Sequence, residues 1–140
     1  MTHPHPPCFR RVRRLREEHD RDHHALVAAL QDAVDRRHRE ALERILHFGV
    51  TLTVDGGGLV PAPAKPVTGR IPVASALLEL LAPGTHQTSE IVSANAQPAL
   101  LFCHAGRAVA IIIARVRRRR AAELWLVLNP EKLRHWNKSQ

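Results

Sequence analysis

The sequence predicts an α+β fold, a cone-like curved antiparallel sheet packed on N-terminal helices and one middle helix. Three observations carry this reading. Helical spacing of apolar residues fills the chain up to about residue 47 and returns once, near 72–81. Between these helices the alternating run Thr51-Leu52-Thr53-Val54-Asp55 leads into Gly56-Gly57-Gly58, a half-buried strand running into an adaptable loop. From residue 86 to 128 four strand-like segments follow one another with short connections, as in an antiparallel meander.

Taken in order, residues 1–7 (MTHPHPP) are rich in Pro and His and read as disordered. Residues 1–21 together are expected to be a disordered, basic extension, the polar part before Asp20 being either that or a solvated helix, with 22–140 as the single domain. Leu26, Leu30 and Val34 settle into helical spacing over about 22–34, and Ala41, Leu42, Ile45 and Leu46 share a face of a second helix at about 38–47. Phe48-Gly49 is read as its stop. Strand one is placed at 50–54. Residues 59–68 (LVPAPAKPVT) contain three prolines and are expected as an extended loop, since Pro is excluded from central strands. Pro72 suits a first helical turn, Val73, Leu77, Leu80 and Leu81 share its face, and Pro83-Gly84 ends it. Strands are expected at about 86–95, 99–104, 107–116 and 123–128. Ile111-Ile112-Ile113 is apolar on both faces, so its strand should be central and covered on both sides. That second cover points to a like subunit, and a homodimer through the outer sheet face is the expectation. Asn129-Pro130-Glu131-Lys132-Leu133 opens a terminal helix, with Asn as N-cap, Pro at the first position and Glu in the first turn.

With 140 residues, 44% of them hydrophobic, the chain has material for one real core. Twenty-one Lys and Arg against 13 acids give +8, which favours acidic partners. The charge is clustered: Arg10, Arg11, Arg13, Arg14 and Arg16 stand near the start, and four arginines occupy 117–120. Aromatic content is only 4%, which argues against a base-stacking platform, and any nucleic-acid binding should be weak, non-specific and backbone-driven. Cys8 and Cys103 are too few and too distant for a disulfide framework or a CxxC metal site. The start lacks an apolar signal core, and the longest apolar run is too short for a membrane span. A reduced, cytoplasmic protein without membrane contact is expected. No cofactor and no metal site is indicated: His19, His23 and His24 do not match H-E-x-x-H spacing.

Asp55 is the one carboxylate with a suggestive address, at the junction of strand and glycine loop. A lone Asp is a thin basis for acid–base catalysis, because the isomerase arrangement known to work adds Tyr and a protonated Asp as an oxyanion hole. This chain has no Tyr, and Asp55 is its last Asp. His86, His104, Trp125 or Asn95 are the remaining candidate donors.

Leu52-x-x-Asp55-Gly56-Gly57-Gly58 together with Asn129-Pro130-Glu131-Lys132-Leu133 resembles the C-terminal SnoaL-like domain of one group of extracytoplasmic-function RNA polymerase sigma factors. That group carries DGGG after the first strand and NPDKL after the last, on an NTF2-like (SnoaL-like) fold. Pro66-Val67-x-Gly69-Arg70, leading into the middle helix, is similar to it as well, and the resemblance covers roughly residues 22–136. It implies regulation of transcription through a sigma factor or RNA polymerase, with both motifs implicated, and room for a small hydrophobic ligand. Two departures stand out. The acid of the second motif is Glu131, and both DNA-binding and core-binding sigma regions are missing from these residues. Since the same fold houses ketosteroid isomerases and polyketide cyclases, an enzyme using Asp55 is the alternative.

Overall fold

Leu26, Val27, Leu30, Ala33 and Val34 recur at the spacing of one helix face, and all five are buried. They lie on α1, Pro7–Asp35, in a computed structural model that describes residues 7–137, with side chains from residue 15 onward. The His/Pro-rich start and the side chains of Arg10, Arg11, Arg13 and Arg14 fall outside the described residues. Residues 7–21, expected as a disordered extension or a solvated helix, are helical and continuous with α1. After Pro7 no Pro or Gly interrupts the backbone ladder there, so a polar sequence stays helical. What changes near residue 22 is burial: 15–21 are exposed, and the packed face begins at His23.

The remaining elements are α2 (Arg39–Arg44), β1 (Leu46–Asp55), β2 (Val67–Thr68), α3 (Arg70–Leu80), β3 (Thr88–Ala94), β4 (Gln97–His104), β5 (Arg107–Arg117), β6 (Arg120–Val127) and α4 (Pro130–Asn137). The second helix is shorter than its apolar pattern predicts. Leu46 and His47 belong to β1, because the Ile45 carbonyl accepts from the Ala121 N–H at 2.8 Å and Leu46 stands opposite Ala121 on β6. Gly49 is therefore not a helix stop. It lies where the β1–β6 register shifts between Leu46 and Thr51, an irregularity that turns Phe48 out to solvent.

The six strands run in the order β2-β1-β6-β5-β4-β3. The first long strand and the last are parallel neighbours, and the other pairs are antiparallel. Val50, Leu52, Leu100, Phe102, Ile112, Leu124 and Leu126 form the inner face and are buried beneath α1 and α3. Two polar staples fix those helices. The Arg37 guanidinium donates to the Leu78 and Leu81 carbonyls at 2.7 and 3.2 Å, closing the end of α3, and Gln31 Nε2 donates to the Ser89 carbonyl at 3.0 Å on the edge strand.

Ile111 faces the other way and is buried on the outer face with Ala99, Leu101 and Ala108. Its cover is Leu133, with Trp136 against the cluster, both from α4. At Ile111 the second cover that the triple isoleucine demands therefore comes from α4 of the same chain. Ile113 and Trp125, paired across β5 and β6, stay only partly covered on this side.

Candidate functional site

Parity along β1 decides where Asp55 points. Val50 and Leu52 enter the inner core, so Thr51, Thr53 and Asp55 project from the outer face. Asp55 stands opposite Val127, a member of the outer cluster. Because β1 and β6 are parallel neighbours, their ends leave the sheet side by side, and the Leu128 N–H donates to the Asp55 carbonyl at 2.8 Å. The two motifs, far apart in sequence, meet there.

The Asp55 carboxylate is the centre of that meeting. It accepts the Gly57 N–H at 3.0 Å, receives the Asn129 amide at 3.5 Å and pairs with Lys132 Nζ at 2.5 Å. The Lys132 contact above all, then the Gly57 N–H, holds its carboxyl below the ordinary 3.8, against an opposing effect of desolvation. Asn129 works in both directions. Its Oδ1 accepts the Glu131 N–H at 3.1 Å, capping α4, while its backbone carbonyl accepts the Lys132 and Leu133 N–H groups at 3.1 and 3.0 Å. Gly57 has φ +64, and a Cβ there would fall 2.7 Å from Asn129 Nδ2 and nearer still to the rest of that amide. Gly56 is tight for another reason, since a Cβ would run into the Val60 carbonyl. Its own carbonyl accepts from the Leu59 and Val60 N–H groups, both at 3.1 Å, folding the loop back. Pro130 opens α4, Glu131 pairs with Arg134 at 2.9 Å, and Leu133 is buried on Ile111.

Beside this latch, at the open end of the cone, lies a cavity of about 820 Å³. Val60 of the returning loop, Leu128 just before the second motif, and Pro130 and Leu133 within it form part of its wall; Asp55 does not line it. The motifs therefore shape the cavity through Pro130, Leu133 and the flanking Val60 and Leu128 rather than by presenting a carboxylate to it. His104 sits on its rim, and His86 lines a smaller continuation, edge-on to Phe102 with ring centroids 4.8 Å apart. Burial holds the His86 imidazole below its ordinary 6.5. Asn95 lies in the β3–β4 turn at φ 52 and Trp125 on the outer face, so neither joins the cavity. Among the described residues no three His, Cys, Asp or Glu side chains converge as metal ligands, and no helix is long and apolar enough to cross a membrane. Sequence reasoning missed Val60, Val109 and Leu128 as lining residues. Two of them adjoin the motifs, and that adjacency was the available signal.

The four arginines at 117–120 form the β5–β6 hairpin, exposed, with Arg118 and Arg119 at φ 51 and 66. The turn rests against α1, where Arg119 Nε lies 3.7 Å from the Asp22 carboxylate.

No family model matches the chain, and no curated protein matches it. Solved structures do match, and they show the class of fold: NTF2-like, a helix-backed curved sheet. An NTF2-like protein of unknown function from Burkholderia xenovorans superimposes with a TM-score of 0.57 at 13% identity, over 84% of this chain and 94% of that one. A candidate ketosteroid isomerase from Kribbella flavida gives 0.56 at 14% identity, over 77% and 78%. The extracytoplasmic function sigma factor SigJ of Mycobacterium tuberculosis gives 0.65 at 24% identity, over 79% of this chain. This chain covers 43% of the length of SigJ.

Proposed function

We propose that this chain is a non-catalytic regulatory domain that senses a small molecule in its cavity and acts in transcription control through a sigma factor or RNA polymerase. One observation carries the reading. Asp55, the acid–base candidate read from the sequence, is committed to Lys132, Gly57 and Asn129 on the outer face, while the cavity has no Asp or Glu in its lining. A carboxylate so held below its ordinary pKa is a poor general base near neutrality. The fold shared with SigJ and the paired motifs support the direction of the proposal.

The rival reading, an isomerase- or cyclase-type enzyme using Asp55, draws on the fold shared with the Kribbella protein. The two separate cleanly in one experiment. Wild type, Asp55→Asn and Gly57→Val are assayed for isomerase, cyclase and hydrolase turnover, and in parallel for retention of sigma factor and RNA polymerase. The expected result is no turnover in any of them, with partner retention lost in Gly57→Val. Turnover in the wild type that falls by about 10²–10⁴ in Asp55→Asn would sink the regulatory reading. A homodimer, if formed, would use the apolar surface that α4 leaves open around Ile113 and Trp125. Sedimentation of Trp125→Glu beside wild type tests this, and identical monomeric profiles refute it.

A further inference from the structure

The lining of the cavity at the open end of the cone is uneven in charge. Its walls are apolar, through Val60, Ala108, Val109, Leu128 and Leu133, and its only charged lining residues are Arg107 and Arg134. Arg134 is shared with Glu131 at 2.9 Å. The guanidinium of Arg107, at the start of β5, makes no hydrogen bond or ion pair among the described residues. A narrower pocket of about 200 Å³ shares Val60, Thr85, Val109 and Leu128 with the first and runs on to Leu80, Leu81 and Ala110 beneath the helices. The two together form a mouth with spare positive charge and a mostly apolar inner end, where Thr85 and His86 are the polar lining residues. At about 820 Å³ the outer part alone is within the size usual for small-molecule sites, about 300–1,000 Å³.

We propose that this cavity binds an apolar molecule bearing one terminal carboxylate, of the medium-chain fatty acid type. The carboxylate meets Arg107 at the mouth, and the chain passes Val109 and Leu128 toward Leu80 and Leu81. This deepens the ligand-sensing reading and rests on it. An apolar wall gives affinity by area but does not discriminate between ligand ends. The guanidinium does, since it forms paired charge-assisted bonds with a carboxylate, offers nothing comparable to an alcohol and repels an ammonium.

Decanoate, 1-decanol and decylamine, each below its micelle concentration, are titrated calorimetrically into wild type, Arg107→Gln and Val109→Trp, with circular dichroism confirming the fold. Decanoate is expected to bind tightest to wild type. Because Arg107 is exposed, its replacement should weaken decanoate by only about five- to tenfold and leave decanol within about twofold. Val109→Trp, which fills the shared neck, should abolish binding of both. Decanol binding as tightly as decanoate, or decanoate unaffected by Arg107→Gln, overturns the carboxylate proposal while leaving a ligand-sensing cavity in place. Binding that survives in a folded Val109→Trp overturns the location. Failure of all three probes to bind wild type removes the ligand-sensing reading as well.

Discussion

Replacing Gly57 with alanine tests the contact between the two motifs at its narrowest point. The residue has φ +64, a conformation that costs an ordinary L residue roughly 1–2 kcal/mol. The added Cβ also collides with the Asn129 amide. That amide must turn away, abandoning the Asp55 carboxylate and the Glu131 N–H it caps. Loss of a helix N-cap costs about 0.5–2 kcal/mol, so the total for Gly57→Ala is about 2–3 kcal/mol. Gly58 is the internal control. It has φ +76 but open space where a Cβ would go, so Gly58→Ala should cost only the backbone strain, about 1 kcal/mol. Urea unfolding gives the two values, and Trp136, packed in the outer cluster, reports by fluorescence whether α4 stays docked. The decisive measurement is a double-mutant cycle with Asn129→Ala. If the collision is the cause, Gly57→Ala in that background should shrink to the Gly58→Ala value, a coupling of about 1 kcal/mol or more. Equal costs for the two glycines, or strict additivity in the cycle, would refute the reasoning.

Three further outcomes are expected. Arg118 and Arg119 occupy a two-residue hairpin turn in left-handed conformations that suit Asn-Gly; the double replacement Arg118→Asn, Arg119→Gly should stabilise by about 1 kcal/mol, because the exposed Arg119–Asp22 contact it removes is worth little. Unchanged urea midpoints would contradict that. His23 is buried, its Nε2 has no partner, and burial holds its pKa below 6.5. The unfolded chain therefore takes up the proton first as pH falls, so stability should decline from about 6.5 downward through the folded pKa. His86 shifts the same way, and His23→Phe should flatten part of the decline measured by unfolding between about pH 5 and 8; an unaltered slope rules His23 out as a source. Finally, binding of duplex DNA through the hairpin arginines should be weak and fall steeply with added salt, with Arg118→Gln and Arg120→Gln lowering the salt slope. A sequence-specific footprint at physiological salt would contradict the assignment.

What the sequence disclosed is what local periodicity and turn chemistry encode. Alternation in β1, the triple isoleucine of β5 and the Asn-Pro-Glu start of α4 each stand where they were read. The misreadings come from choices that only tertiary partners make. Ile45 and Leu46 fit a helix face as well as a strand, and hydrogen bonding to β6 decides between them. The apolar outer side of Ile111 demands a cover, and periodicity alone does not reveal that α4 lies over it. For the site, Asp55 and Asn129 were legible as motifs. That Asp55 points away from the cavity was not, because it depends on which face of β1 the helices take. The glycine–amide contact at Gly57 left no local trace at all.

The parallel pairing of β1 with β6 also has a consequence for how the protein is made. Asp55 and Asn129 are separated by 74 residues, and all the later strands are synthesised between them. At about 5–20 residues per second, the ribosome leaves β1 waiting several seconds for its main neighbour. During that interval the strand has only the two-residue β2 beside it, and its buried residues Val50 and Leu52 are open to other chains. The sheet can close only when β6 emerges, a long-range step that sets folding speed more than final stability. A chain halted after β5 would carry two unsatisfied strand edges at what should be the middle of the sheet, so nascent chains of this protein should depend on chaperones more than the finished domain does.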